Sequence, residues 1–361
     1  MGRVIRWVIG IGVLGAVLTA VAVRVPAVQD FVIRRVIAQR MSRPPSELLA
    51  DDALRVLLCG TSSPMPHPTR AKACVAVFAG GHFWVVDTGP GSWNRLALWQ
   101  VDGRNIAGIL LTHFHSDHIG ELGEFNLQTW GAGRPGPLAV YGPPGVERVV
   151  NGFTEAYALD TGYRIAHHGR ELLPPEVGRM DARVVPGPAE GTGPAVVLQD
   201  GGLTITAFAV THTPVRPAYG YRFDYRGRSV VVSGDTVKDA GLIAAAKGAD
   251  VLVHEAQANH IVALMRAEAE KTGRTRIAKI LGDIPSYHTS PVGAAEAANE
   301  AGVRLLVMYH LTPPPPAGPL VERMFVRGVD AVRPRDWVLG DDGLLVTLPL
   351  GADTIRVGNL D

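Results

Sequence analysis

Three histidines and one aspartate lie within six residues of one another, namely His113, His115, Asp117 and His118. The apolar run 106–111 before them predicts a buried strand, and residues 121–130 after them have a helical pattern. On a loop between these elements, the four side chains can face two points about 3.5–4 Å apart, as in two-metal hydrolases. Imidazole and carboxylate together suit zinc or a similar divalent ion. We therefore favour a metal site over a surface loop that is merely rich in histidine.

Further ligand candidates lie at the ends of three other apolar runs. They are His212, Asp235 and His310, and each follows an apolar run typical of a strand. The ends of neighbouring strands meet at one edge of a sheet, where the residues that follow can converge. A single histidine after a strand is usually structural. Three such candidates together with the histidine-rich loop predict a site of seven ligands.

Short motifs elsewhere in the chain extend this pattern. They are Gly60-Thr61-Ser62-Ser63-Pro64, Pro217-Ala218-Tyr219-Gly220-Tyr221-Arg222, Ser233-Gly234-Asp235-Thr236, His254-Glu255-Ala256, His288-Thr289-Ser290 and Tyr309-His310-Leu311. With the histidine-rich loop, they resemble the metallo-β-lactamase superfamily and, within it, the tRNase Z (ribonuclease Z)-like branch. The resemblance implies an α/β protein with the metallo-β-lactamase fold, a four-layer αββα sandwich with the metals at one edge.

The resemblance also implies an assignment of ligands to two zinc ions, although Mn²⁺ or Fe²⁺ would suit the same groups. One ion would be bound by His113, His115 and His212. The other would be bound by Asp117, His118 and His310, with Asp235 bridging the two. Class B1 and B2 β-lactamases have a cysteine at the bridging position, so β-lactam hydrolysis is not expected as the primary role.

Asp117 and His288 are the predicted catalytic residues. Water shared by two zinc ions loses a proton near neutral pH, and the resulting bridging hydroxide would attack a phosphoryl centre. His288 matches the general acid of the branch, in a motif whose two hydroxyl residues are interchanged. An imidazole suits this task because its pKa lies near 6.5. The alternative for His288 is a cap for the helix predicted over residues 291–301.

Other residues of these motifs are expected to support the site. The resemblance implies that Asp87, His254 and Glu255 orient the metal ligands from behind. Ser62 and Ser63 could bind a substrate phosphate, and a tight turn is the alternative for them. The remaining histidines, His67, His82, His167, His168 and His260, are expected to be surface or packing residues.

Periodicity predicts strands in both halves of the chain, with helices between the later ones. The predicted strands cover residues 54–59, 74–79, 82–87, 138–141, 203–210, 218–225, 229–233, 251–254 and 305–309. The predicted helices cover residues 146–159, 239–247, 261–272 and 291–301. Residues 160–195 show no clear period. Cys59 and Cys74 flank the connection of the first two strands, so they are either a disulfide or two small buried side chains.

The amino-terminal segment predicts a membrane association. Residues 7–23 carry no charge and are flanked by arginines, which favours an uncleaved signal anchor over a cleaved signal peptide. Residues 28–41 could form an amphipathic helix on the membrane surface. We expect a tether over residues 1–43 and a hydrolase domain over residues 44–361. By a simple count, the arginines after residue 23 favour a cytoplasmic enzyme. Because these arginines could instead belong to a helix on the membrane surface, we favour the periplasmic or extracytoplasmic side.

Charge and composition bear on the substrate. The net charge is +1, so no general basic field would attract nucleic acid. Residues 146–210 contain five arginines and no lysine, whereas tRNA-processing members carry a basic arm in this region. We therefore rank a small or modest-sized phosphodiester, or a related ester, above precursor tRNA, with a non-catalytic metal-binding sensor as the other alternative. A homodimer is implied by the resemblance alone.

Overall fold

A computed structural model describes residues 22–41, 47–187 and 193–360 of the chain. The chain divides between Pro45 and Ser46 into two units.

In the first unit, the described residues form one helix, α1 (Pro26–Met41). Its apolar side chains are not gathered on one face, so the predicted amphipathic pattern is wrong even though the helix forms. Phe31, Val32 and Val36 are all about half exposed or more. The predicted anchor over residues 7–23 lies almost wholly outside the described residues. Among the described helices, none has the length and apolar character needed to cross a membrane.

The second unit is built on two β-sheets. In chain order the strands are β1 (Ala53–Gly60), β2 (Cys74–Ala79), β3 (His82–Val86), β4 (Ile106–Leu110), β5 (Leu138–Gly142), β6 (Met180–Val184), β7 (Ala195–Asp200), β8 (Leu203–His212), β9 (Val215–Tyr225), β10 (Arg228–Val232), β11 (Val251–Gln257), β12 (Leu305–Thr312), β13 (Trp337–Leu339), β14 (Leu344–Pro349) and β15 (Arg356–Asn359). The first sheet has the order β15-β14-β1-β2-β3-β4-β5-β6. The second has the order β13-β12-β11-β10-β9-β8-β7.

Helices lie between many of the strands along the chain. They are α2 (Ser92–Leu98), α3 (Ser116–Ile119), α4 (Leu122–Gly131), α5 (Val146–Ala156), α6 (Ala158–His168), α7 (Ala240–Ala245), α8 (Asn259–Lys271), α9 (Thr275–Asp283), α10 (Pro291–Ala301), α11 (Pro319–Phe325) and α12 (Val329–Val332). Helices α2, α4 and α5 pack on the first sheet. Helices α7, α10 and α12 pack on the second. The result is the predicted order of layers, helices outside and two sheets inside.

The alternation of side chains along the strands explains why the sheets are buried on both faces. In β10, Val230 and Val232 belong to the core between the sheets, whereas Val231 packs beneath the outer helices. β1 alternates likewise, with Val56 in the inner core and Leu57 in the outer one. Successive residues of a strand point to opposite faces, so continuous apolar runs give strands that are covered on both sides.

Most predicted elements of the second unit form, and the largest errors lie in two regions. The helix predicted over residues 146–159 is two helices, α5 and α6. The region 160–195, predicted to be irregular, contains most of α6 as well as β6. Helix α9 and the last three strands were not predicted. The short strand β13 is half-buried and β15 is exposed, so neither has the continuous apolar pattern of a buried strand.

Cys59 and Cys74 form a disulfide, with their Cα atoms 5.0 Å apart. The bond joins the end of β1 to the start of β2, where Gly60 pairs with Cys74. This settles the alternatives left open by the sequence in favour of the disulfide. The bond closes the loop 60–73, which passes beside the site described below.

Candidate metal centre

Strand ends bring the predicted metal ligands to one edge of the two sheets. His113 and His115 lie on the loop after β4, and Asp117 and His118 lie on the short helix α3 that follows. His212 is the last residue of β8, and Asp235 follows β10. All seven predicted ligands, including His310 from β12, fall within groups whose ligand atoms lie within 4.8 Å of one another.

His310 reaches the site through an irregularity in its strand. Glu255 of β11 pairs with Tyr309, and Ala256 pairs with Leu311, so His310 is an extra residue without a partner. Its φ is +45°, in the left-handed region that non-glycine residues seldom occupy. Bulges of this kind redirect a side chain near functional sites. Here the bulge turns the His310 side chain toward the other candidate ligands.

Asp235 lies at the centre of the cluster. Its Oδ2 is 3.3 Å from Nε2 of His118, and it is 3.9 Å from Nε2 of both His113 and His212. Its Oδ1 is 3.4 Å from Nδ1 of His310. The carboxylate therefore contacts both predicted groups of histidines, as a bridging ligand must.

The second group of ligands surrounds Asp117. Its Oδ2 is 3.1 Å from Nε2 of His310 and 3.6 Å from Nε2 of His118. Burial opposes ionisation of Asp117, but these two histidines outweigh it and lower the pKa of the carboxyl to about 2. Asp117 is thus in the ionised form that binds a cation.

The unsatisfied groups of the cluster fit metal ions. Nε2 of His118, Nε2 of His212, Nδ1 of His310 and Oδ1 of Asp235 are buried without a hydrogen-bond partner. Buried polar atoms are rarely left unpaired. Burial also lowers the pKa of His113 and of His212, which favours the neutral imidazole that ligates metals. Among the described residues, Asp235 forms ion pairs with histidines alone.

Asp87 holds the histidine-rich loop from behind. Its carboxylate accepts hydrogen bonds from the backbone N–H of Thr112 and from the Thr112 hydroxyl, both at 2.8 Å. It also accepts a hydrogen bond from Nδ1 of His118 at 2.8 Å. This bond fixes the orientation of the imidazole and leaves Nε2 to face the cluster. Asp87 therefore contacts the histidine-rich loop from behind, and its support of a bound metal stays a prediction.

His288 lies beside the cluster and is paired with Glu255. Its Nδ1 donates to Oε1 of Glu255 at 2.8 Å, and its ligand atom is grouped with those of Asp235 and His310. Burial lowers the pKa of His288, but the charge and hydrogen bond of Glu255 outweigh this and raise it to about 9. The cap of α10 is Ser290, whose side chain accepts from Gly293 N–H, so His288 does not have that alternative role.

Of the other two predicted supporting residues, Glu255 forms hydrogen bonds around the site and His254 does not. Glu255 also accepts from the backbone N–H groups of Thr236 and Thr289, which ties the loop after β10 to the His288 loop. His254 donates from Nδ1 to the carbonyl of Glu255, and its Nε2 is buried without a hydrogen-bond partner. Among the described residues, His254 forms no hydrogen bond to a metal ligand, so its supporting role stays a prediction.

Ser62 and Ser63 are buried residues of the loop 60–73. The Ser62 hydroxyl donates to backbone carbonyls of its own turn, including that of Met65 at 3.2 Å. This is the geometry of the turn that the sequence left as an alternative. The Ser63 hydroxyl has no hydrogen-bond partner. Contact of either serine with a substrate therefore stays a prediction.

The remaining histidines stand apart from the metal groups found among the described residues. His167 and His168 lie at the exposed end of α6 and contact each other. His67 accepts backbone hydrogen bonds within the loop 60–73. His260 bonds to the carbonyl of Met324, and His82 is exposed at the start of β3.

The sequence analysis missed an apolar wall of the site. A cavity of about 400 Å³ opens beside His115, Asp117 and His288, and helix α9 lines its opposite side. The lining residues of this wall are Ile277, Ile280, Leu281, Ile284 and Tyr287. The four aliphatic residues are spaced i, i+3, i+4 and i+7, which is the pattern of an amphipathic helix. That spacing was visible in the sequence.

Comparison with known proteins agrees with this fold and site. Residues 83–311 match the family model described as the beta-lactamase superfamily domain. A ribonuclease Z of Mycobacterium avium (strain 104) is 40% identical over 268 residues, which cover 73% of this chain and 88% of the relative. The chain therefore belongs to the metallo-β-lactamase superfamily and, within it, to the ribonuclease Z-like branch. It is a metal-dependent hydrolase of that type.

Solved structures show the same fold. The metallo-beta-lactamase fold protein YhfI from Bacillus subtilis has a TM-score of 0.59 at 19% identity, covering 82% of this chain and 100% of that one. The short form of human tRNase Z has a TM-score of 0.56 at 20% identity, covering 82% of this chain and 99% of that one.

Proposed function

We propose that this chain hydrolyses phosphodiester bonds at a site that holds two zinc ions. The observation that carries the proposal is the pairing of His288 with Glu255 directly beside the cluster of seven ligands. A site that only bound metal would not need a buried, carboxylate-paired imidazole facing the cavity. Retention of this pair also argues against the non-catalytic sensor considered above.

The chain's own residues would divide the chemistry between them. His113, His115, His212, Asp235, Asp117, His118 and His310 would hold the ions. Divalent ions supply a lowered pKa for water and neutralise the negative charge that develops on phosphoryl oxygens. His288, fixed through Nδ1 by Glu255, would keep its Nε2 proton toward the cavity and pass it to the departing oxygen. The carboxylate of Glu255 would stabilise the charged imidazole before the transfer.

RNA is the substrate class that the relatives favour. The Mycobacterium avium relative is named ribonuclease Z, and its alignment with this chain covers 88% of the relative's length. This supports tRNA 3′-end processing, the alternative that the sequence analysis placed below a small ester. The identity extends well beyond the metal ligands, so it is not explained by the superfamily motif alone.

A compact phosphodiester is the second candidate, and two observations favour it. Among the described residues, those that line the cavity include neither lysine nor arginine. Arginines of the region expected to carry a basic arm are paired with carboxylates: Arg164 with Asp160, Arg170 with Glu176 and Arg183 with Asp181. An RNA-binding surface needs clustered cations that are free to contact phosphates.

The remaining predictions about assembly and location are also proposals. The disulfide between Cys59 and Cys74 supports an extracytoplasmic location, because disulfides persist in oxidising compartments. Membrane association through residues 7–23 and a homodimer remain predictions from the sequence and the resemblance.

One experiment tests the function and separates the two substrates. The full-length protein, loaded with zinc, would be assayed on a precursor tRNA carrying a 3′ trailer and on a p-nitrophenyl alkyl phosphodiester. Loss of turnover in Asp235→Ala, with retention in the matched surface variant His168→Ala, would assign the activity to this site. No hydrolysis of either substrate would overturn the proposal, and site-specific release of the trailer would establish the RNA candidate.

A further inference from the structure

Helix α9 carries an apolar stripe that the described residues leave partly exposed. One side of the helix packs against α8 through Ala278 and Leu281, together with Val262 and Ala269 of α8. On the side facing the cavity, Ile277 is 46% exposed and Ile280 is 59% exposed. The apolar side of an amphipathic helix is normally buried. These two isoleucines lie at the mouth of the catalytic cleft instead.

The cavity in front of this stripe is continuous with the reactive end of the site. Asp117, Asp235 and His288 line one side, and Ile277, Ile280 and Ile284 line the other. Its volume of about 400 Å³ lies within the range of pockets that take small molecules. A substrate whose phosphate sits against the metal ligands would therefore place an attached group against the aliphatic wall.

The chemistry of the wall indicates which group fits. Its side chains are aliphatic, with Met65 and Pro64 contributed by the disulfide-closed loop. The nearest lysine on that loop, Lys72, is engaged with the carbonyls of Ser63 and Met65. A polynucleotide brings charged phosphates on both sides of the scissile bond, and these would meet isoleucine here. An alkyl chain would instead contact a surface that is apolar like itself.

We propose that the α9 wall is a substrate-binding subsite for an alkyl chain attached to the scissile phosphate. This inference rests on the proposed hydrolysis of phosphodiesters and names the substrate class as alkyl phosphodiesters. Binding gains about 0.8 kcal/mol per fully buried methylene, which corresponds to about fourfold in affinity. Since the cavity is open on one side, we expect about twofold to threefold per methylene.

Binding of alkylphosphonates to the zinc-loaded, full-length protein measures this directly. We expect hexylphosphonate to bind more than about tenfold tighter than methylphosphonate by calorimetry. In the double variant Ile277→Gln/Ile280→Gln, this ratio should fall below about threefold. The matched control is Leu264→Gln, because Leu264 is 70% exposed and lies on α8 outside the cavity lining. The control should keep the ratio of the unmodified protein.

A second measurement does not depend on the metal or on turnover. In protein labelled at the isoleucine methyl groups, 1-hexanol should shift the NMR signals of Ile277 and Ile280, and methanol at the same concentration should not. If 1-hexanol does not selectively shift the signals of Ile277 and Ile280, the subsite is overturned, whether or not the phosphonates bind. If the protein hydrolyses phosphodiesters but binds all the alkylphosphonates with equal affinity, the subsite is overturned and the proposed function stands. Tighter binding of adenosine 5′-monophosphate than of hexylphosphonate would assign the wall to a nucleobase and also overturn it.

Discussion

His288 and Glu255 are joined by a hydrogen bond of 2.8 Å, although 33 residues separate them along the chain. Within the Glu255 carboxylate, Oε1 accepts hydrogen bonds from His288, Thr236 and Thr289, and Oε2 has no hydrogen-bond partner among the described residues. The pair connects β11 to the start of α10 and lies against Asp235 and His310. Predictions about catalysis therefore centre on this pair.

Replacing His288 with alanine should reduce kcat by about 10²–10⁴-fold, the usual contribution of one positioned acid. The loss should depend on the leaving group. A p-nitrophenolate departs without a proton and should be little affected, whereas an alkoxide needs the proton and should suffer the full loss. Kinetics on a matched pair of such esters measure this, with metal content as the control. Equal losses on both esters would point to positioning of the substrate instead.

Glu255→Gln should shift the pH dependence of kcat without removing His288. Glu255 raises the pKa of His288, so its neutralisation should lower that pKa. A general acid acts in its protonated form, and the decline of kcat at high pH should therefore begin at a lower pH in the variant. A pH–rate profile on an alkyl leaving group tests this. An unchanged profile would show that His288 is not the group that titrates.

Asp235→Ala should lower the metal content of both positions, because this carboxylate contacts both groups of histidines. We expect about two zinc ions per chain in the unmodified protein and fewer than about one in the variant. Metal analysis after gel filtration provides the measurement. His167→Ala should retain the full content, since His167 is exposed at the end of α6. Two tightly bound ions in the Asp235 variant would remove it from the bridging role.

Loss of the disulfide should destabilise the second unit. The bond closes a loop with a sequence separation of 15 residues, for which the expected stabilisation is about 3 kcal/mol. Urea unfolding of Cys59→Ala/Cys74→Ala should show a decrease of about 2–4 kcal/mol. A reductant should destabilise the unmodified protein to a similar extent and leave the variant unchanged. If the reductant has no effect on either protein, the bond does not form in solution.

The sequence predicted which side chains converge in the candidate site, because much of their signal is local. His113 to His118 follow a buried strand directly, and the residue types alone suggest a cation. The strand ends that carry His212 and Asp235 were equally clear. The bulge at His310 could not be predicted, because it depends on the register between β11 and β12. The sequence placed His310 after the strand predicted over residues 305–309, whereas it lies within β12 (Leu305–Thr312).

Other errors came from patterns that tertiary structure overrides. In α6, none of the residues is buried, and Gly162 disfavours a helix interior, so this helix was not separated from the irregular sequence around it. The opposite holds for α9, where a clear stripe was overlooked. The substrate ranking depended on the absence of a basic arm, and sequence relatives weigh against it. Charge patterns describe possible contacts, and they do not identify a substrate.

The helical hairpin α8–α9 is inserted between two residues that must meet. Glu255 precedes it, His288 follows it, and its two helices share a small core of their own. Changes within the hairpin can therefore alter the cavity wall while the catalytic pair stays joined. Substitutions that change which substrate fits the cavity can therefore accumulate in the hairpin without disturbing the pairing of His288 with Glu255. Exchanging this hairpin between relatives would be a direct way to transfer a substrate preference.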